Sequence, residues 1–176
     1  DQYAMFFEHA AQFILPLTFI WQYENKEFRV HFFGTIAIII TFFAHGLYAY
    51  GYYPQPGSFV DMMIIGFKMN EETARFSLKI IGILDFVFAG LVLVNLWLVF
   101  GNKLHISLVV LLKFFLYYGV IWGGLTALAR IYIPFHPEMI GHWLDQYLFE
   151  FLVRIPHFVL PLVLLMKIKL LSVLSR

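Results

Sequence analysis

The sequence predicts an all-α, polytopic membrane helix bundle: about five transmembrane helices in a single domain over residues 1–176. Two observations predict it. Hydrophobic residues make up 61% of the chain and charged residues 13%, about half the charged share of a soluble domain. The apolar residues also gather into runs near the 20 or so needed to cross a hydrocarbon core of about 30 Å, parted by short polar breaks.

The same composition excludes several functions. A net charge of +1 offers no basic surface for nucleic acid. The chain has no Cys, which removes disulfides, thiolate metal sites and iron–sulfur ligation. Aromatic residues reach 20%, with 21 Phe, suited to lipid-facing surfaces and to packing between helices. No P-loop, zinc motif or nucleophile elbow is present. The loops are too short to hold a soluble catalytic domain, so the chain is not expected to be an enzyme by itself.

Residues 4–23 form the first apolar run, interrupted by Glu8, His9 and Pro16. Glu24, Lys26, Glu27 and Arg29 break it off. Residues 30–50 are the second run, with His31 at its start and His45 near its end. The tyrosines that follow (Tyr48, Tyr50, Tyr52, Tyr53) mark a membrane–water interface. Pro54-Gln-Pro-Gly57 is a turn, and Ser58 with Asp61 resembles a capping box. The apolar segment near 58–69 is too short to span and predicts an interfacial or re-entrant helix. Asn70 reads as an N-cap with Glu71 and Glu72 in the first turn. A long helix follows to residue 100. The tight Gly101-Asn-Lys103 connection predicts an antiparallel neighbour over 104–128. Residues 130–143 read as a loop, and 143–171 as the last span, kinked where Pro156 and Pro161 remove backbone donors.

With five spans, Lys26, Arg29, Lys103, Lys167, Lys169 and Arg176 fall on one side. The positive-inside rule makes that side cytoplasmic. The expected setting is a bacterial inner membrane, with the N-terminus outside and the C-terminus in the cytoplasm. Lys68, Arg75 and Arg130 then lie outside among Asp61, Glu71, Glu72, Glu138 and Asp145. Lys79 is close enough to its helix end to snorkel.

Charges inside the spans point to a site. In the stretch QYLFEFLVRIPHFVLP, residues 146–161, Gln146, Glu150, Arg154 and His157 share one helical stripe. Each ionised group in hydrocarbon costs roughly 2.5–3.5 kcal/mol on insertion scales, so the stripe faces protein, a cofactor or water. Counting about 1.5 Å per residue brings Asp85, Lys113 and Arg154 near mid-depth, which predicts that Asp85 pairs with Lys113, Arg154 or both. His45 and Glu150 share a shallower level and are candidates for a second contact. The cluster of His45, Asp85, Lys113, Glu150, Arg154 and His157 therefore reads as a ligand, quinone or proton site. The competing reading is a purely structural contact, but such contacts contribute only about 0.6 kcal/mol on average.

Histidine spacing raises haem b. His31 and His45 are fourteen apart, and His142 and His157 fifteen apart on an antiparallel span. His31 facing His157, and His45 facing His142, would make two bis-histidine sites like those of b-type cytochrome membrane subunits. Depth weighs against it, each pair being out of level by roughly 8–10 Å. His136 and His142 otherwise read as solvated loop residues.

The motifs Phe33-Gly34, Phe43-Ala-His45-Gly46-Leu-Tyr48, Ile81-Gly-Ile-Leu-Asp85-Phe86 and Ala89-Gly90 resemble the four-helix DoxX-like membrane proteins. So do Trp122-Gly-Gly-Leu-Thr-Ala-Leu-Ala-Arg130 and Arg154-Ile-Pro-His157. The resemblance covers about residues 30–171 and implies a four-helix bundle with an added N-terminal helix. Some members are associated with thiosulfate or quinone-linked redox systems, so it implies a respiratory setting and no particular reaction.

The leading expectation is an integral membrane subunit of a larger respiratory or quinone-linked electron-transfer complex, structural or quinone-contacting. Its partners would be the lipid bilayer and other membrane protein subunits. The alternatives are a b-type cytochrome subunit and a small transporter or proton-conducting bundle using Asp85, Arg154 and Glu150.

Overall fold

A computed structural model of the chain describes residues 6–100, 106–133, 141 and 144–174. It is a bundle of helices: α1 (Ala10–Tyr23), α2 (Glu27–Tyr50), α3 (Gly57–Phe67), α4 (Glu71–Phe100), α5 (Ile106–Tyr132) and α6 (Phe149–Leu174), the last preceded by a π-helical turn at Leu144–Leu148. Helices α2, α4, α5 and α6 are long and apolar enough to cross a membrane, and the protein is an integral membrane bundle.

The N-terminal run differs from the expected fifth span. A helical turn at residues 6–8 leads into α1, which has 14 residues, about 21 Å of helix. That is short of a hydrocarbon core of about 30 Å. The described bundle is thus four long helices with α1 laid against α2 and α6.

Glycine sets how closely the helices approach. A Cβ on Gly82 of α4 would lie 2.5 Å from Tyr50 N and 2.9 Å from Gly46 O of α2, so only a residue without a side chain fits there. Helices α5 and α6 meet similarly, a Cβ on Gly123 falling 2.9 Å from His157 O. Pro161 lacks an N–H, so that carbonyl has no donor four residues on. α6 nonetheless continues as helix through Pro156 and Pro161.

The core gathers around Phe88, fully buried against Phe42 at a ring separation of 4.5 Å and 80°. Leu15, Ile38, Leu116, Leu160 and Leu164 complete it from the other helices. Phe13, Trp97 and Phe114 point outward, as lipid-facing residues do. Lys167 of α6 and Glu27 of α2 pair at 2.5 Å, which brings the end of one helix level with the start of the other.

Four local expectations are resolved. Asn70 Oδ1 accepts the Thr73 N–H at 2.8 Å, so it caps α4. The Ser58–Asp61 capping box does not form: α3 starts at Gly57 after Pro56, with no side-chain cap, which places Ser58 already inside the helix. Nor is α3 only a surface helix, for Phe59 and Val60 are buried against Tyr48, Ala74 and Leu78. Arg130, expected in a loop, lies in the last turn of α5 and is 8% exposed. Its charge ends the hydropathic run but not the helix, because Glu150 takes the place of water.

Candidate functional site

The polar centre is built on the closest helix crossing. His45 precedes Gly46, and Asp85 stands one turn beyond Gly82. The tight contact of those glycines brings His45 Nδ1 to 2.7 Å from Asp85 Oδ2. The Tyr118 hydroxyl donates to Asp85 Oδ1 at 3.1 Å. Asp85 is fully buried, and both of its oxygens are engaged, as a buried carboxylate requires.

Asp85 therefore pairs with neither Lys113 nor Arg154. Tyr118 is fourteen residues from the end of α5, and Asp85 fourteen from the start of α4, so the two are level. Lys113 lies about 7.5 Å deeper and about 140° around the same helix. It is half-buried and joins no ion pair among the described residues.

Each arginine has its own acid. Arg154 Nη2 lies 3.0 Å from Glu8 Oε1, a buried ion pair. Arg130 Nη1 donates to Glu150 Oε2 at 2.7 Å. Glu150 is thus the partner of Arg130 rather than of His45. Both cations lie over the ring of Phe59, carried in by α3. The Arg130 and Arg154 guanidinium carbons lie 5.4 and 5.5 Å from its ring centre, within cation–π range, and the His45 ring lies 5.0 Å away.

Beside this centre is a cavity of about 360 Å³ among α3, α4 and α5. Met62, Met63, Leu78, Ile81 and Leu125 make apolar walls, while His45, Trp122, Thr126, Arg130, Tyr132 and Arg154 supply the polar part of the lining. Trp122 Nε1 and Arg130 Nε are buried and have no protein partner among the described residues.

His157 follows Arg154 by three residues, about 60° around the same side of α6, and is 6% exposed with its ring against the Arg154 backbone. His9 Nδ1 is buried and has no hydrogen-bond partner among the described residues. Charges on Arg154, His45 and His9 act on His157, and the same three act on Glu8. Of the predicted cluster, then, His45, Asp85, Glu150, Arg154 and His157 converge, and Lys113 does not.

The residues that sequence reasoning passed over are Glu8, Phe59, Tyr118, Trp122 and Arg130. A helix-end count over the true span would have found Tyr118. For Phe59 there was no signal, since one apolar residue in an apolar helix announces nothing.

The haem pairings gain no support. Glu27 is level with Lys167, His31 is four residues above Glu27 and His157 ten above Lys167, which leaves His31 and His157 about 9 Å out of level. His45 Nδ1 is held by Asp85. His136 and His142 lie outside the described residues, as does the side chain of Gln146. No group of three or more His, Asp or Glu that could hold a metal ion occurs among the described residues. No protein-family model, curated protein or solved structure significantly matches this chain.

Proposed function

We propose that this protein is a quinone-binding membrane subunit of an electron-transfer assembly, the cavity beside Phe59 being its quinone site. One observation carries the reading: two buried donors, Trp122 Nε1–H and Arg130 Nε–H, lack protein partners among the described residues, and both residues line a largely apolar cavity. A quinone head offers two carbonyl acceptors and no donor, which complements that pair. Charge supports a neutral ligand. Arg130 is offset by Glu150 and Arg154 by Glu8, so neither arginine of the lining is left to select an anion. The volume lies in the range of small-molecule sites, and Met62 and Met63 supply a wall that adapts to shape.

Reduction of a quinone takes two electrons and two protons and yields the quinol. The electrons would come from a partner redox subunit. A protonated His45 would give its proton to a quinone oxygen and remain as neutral imidazole, still bonded to Asp85. The resemblance of the long helices to DoxX-like proteins, some of them associated with quinone-linked systems, favours the same setting. In this reading the start of α2 and the end of α6 face the cytoplasm of a bacterial cell.

Decylubiquinone titrated into the protein in lipid nanodiscs tests the site. Saturable quenching of tryptophan fluorescence that Trp122→Phe removes is the expected result. If quenching is absent, or is the same in that variant, the proposal fails. Because the chain has no Cys, single cysteines at Lys26 and Tyr52 probed with an impermeant maleimide test the orientation: only the one at Tyr52 should react from outside.

A further inference from the structure

The walls of the cavity beside Phe59 are covered unequally. Toward the polar centre they are closed, Phe59, Leu78 and Arg130 being buried. On the other side they are open. Phe67 at the end of α3 and Leu125, Leu128 and Tyr132 on α5 line the cavity and are 67%, 54%, 56% and 84% exposed. Among the described residues, no exposed member of the lining comes from α2, α4 or α6. The gap therefore lies between α3 and α5. Leu125, Leu128 and Tyr132 also continue the outward stripe of Ile121 on α5, at i+4, i+7 and i+11, so the gap opens on a face that the helix turns outward.

Its depth puts the gap in hydrocarbon rather than water. The end of α3 touches the end of α5, where a Cβ on Gly66 would lie 2.8 Å from Ile133 Cδ1. Leu128 and Leu125 lie about 7.5 and 12 Å further in along α5, within Val109–Tyr132, a segment long and apolar enough to span. The cavity volume of about 360 Å³ is near the lower end for small-molecule sites. A ring bound at Trp122 and Arg130 leaves little of that space for a long chain, and a chain passing Leu125 and Leu128 stays among apolar groups.

We infer that the cavity opens sideways into the lipid between α3 and α5, and that its ligand is an amphiphile whose long apolar chain leaves through that opening. The ligand enters from the bilayer, in the leaflet that holds the end of α2, and never crosses water. Met62 and Met63, unbranched and easily re-packed, form the α3 side of the passage. The lateral opening stands on its own; the identity of the ring rests on the quinone reading.

The test uses the full chain in lipid nanodiscs, without quinone. Because the chain has no Cys, a nitroxide can be placed singly on Met63→Cys, in the cavity wall, and its collisions with oxygen, which concentrates in lipid, and with a water-soluble nickel chelate can be measured by power saturation. Phe114→Cys on the outer face of α5 and Tyr52→Cys in the loop after α2 give the lipid and water references. The Met63 label should match Phe114, with oxygen access high and nickel access low. Nickel access like that at Tyr52, or no access for either reagent, overturns the inference, whatever decylubiquinone does. If the Met63 variant does not fold, Thr126→Cys in the opposite wall takes its place. A label on Leu128→Cys follows the chain: decylubiquinone should restrict its motion and 2,3-dimethoxy-5-methylbenzoquinone, which has the ring alone, should not. Equal effects at Leu128 from two quinones that both quench Trp122 overturn the exit of the chain. Lipid access at Met63 with no quenching by either quinone would keep the lateral opening and remove the quinone reading.

Discussion

Arg154 in α6 and Glu8 in the turn before α1 meet 3.0 Å apart inside the bundle, so the two ends of the chain are joined by a buried charge pair. Glu8 is 6% exposed. Removing one partner of such a pair strands the other charge, at a cost of roughly 3–5 kcal/mol. Glu8→Gln should therefore lower the thermal midpoint in detergent sharply, and Glu8→Gln with Arg154→Gln should recover much of the loss. A double variant no better than the single one would count against the pair.

The Gly82 contact makes a second prediction, with a control on the same helix. A Cβ at Gly82 meets Tyr50 N at 2.5 Å and Tyr50 Cα at 3.0 Å, whereas one at Gly90 meets nothing within 4 Å. Backbone cannot swing aside as a side chain can. Gly82→Ala should thus force α2 and α4 apart, at about 1–3 kcal/mol, and should disturb the 2.7 Å His45–Asp85 contact. Gly90→Ala should be neutral or slightly stabilising, by helix propensity. Thermal unfolding of the two variants in one detergent decides it, and similar losses in both would contradict the packing described.

How far the sequence could be read follows from which forces are local. Hydropathy runs located the four long helices because the bilayer acts on each segment separately. Asn70 was legible because capping needs only its neighbours. Pairing was not: Asp85 chose Tyr118 over Lys113 through the rotation and depth of α5, which neighbouring helices set. Arg130 was assigned to a loop because a hydropathy window treats any charge as an end. Glu8 lay in a run too short to claim a span, and its partner is 146 residues away. The convergence of His45, Asp85, Glu150, Arg154 and His157 was foreseeable from the cost of burying them singly, but not their partners.

Lys113 tests this difference. Paired with Asp85, it would leave a bare buried carboxylate on removal, and Lys113→Leu would be among the most damaging changes in the chain. In the structure it is half-buried and outside every ion pair among the described residues. Replacing it by Leu removes a charge that costs roughly 2.5–3.5 kcal/mol in the bilayer centre. The variant should unfold at the same temperature as the parent or higher, and a large drop would restore the Asp85–Lys113 pairing.

Phe59 makes the last prediction, because it does two separable jobs. It fills space, being 4% exposed, and it sets an aromatic face within 5.4 and 5.5 Å of two guanidinium carbons. Phe59→Leu keeps most of the apolar volume and removes the ring; the loss expected is about 1–2 kcal/mol for desolvated cation–π contacts. Phe59→Ala removes both and should cost about 3–5 kcal/mol. Phe59→Trp keeps a cation-binding face but overfills the site. Ligand binding separates the jobs further. Without the ring, Arg130 is free to shift its Nε–H away from the cavity, so Phe59→Leu should weaken decylubiquinone binding more than its modest effect on unfolding suggests. Equal unfolding temperatures for Leu and Ala, with unchanged quinone affinity in both, would mean that the ring orders neither arginine.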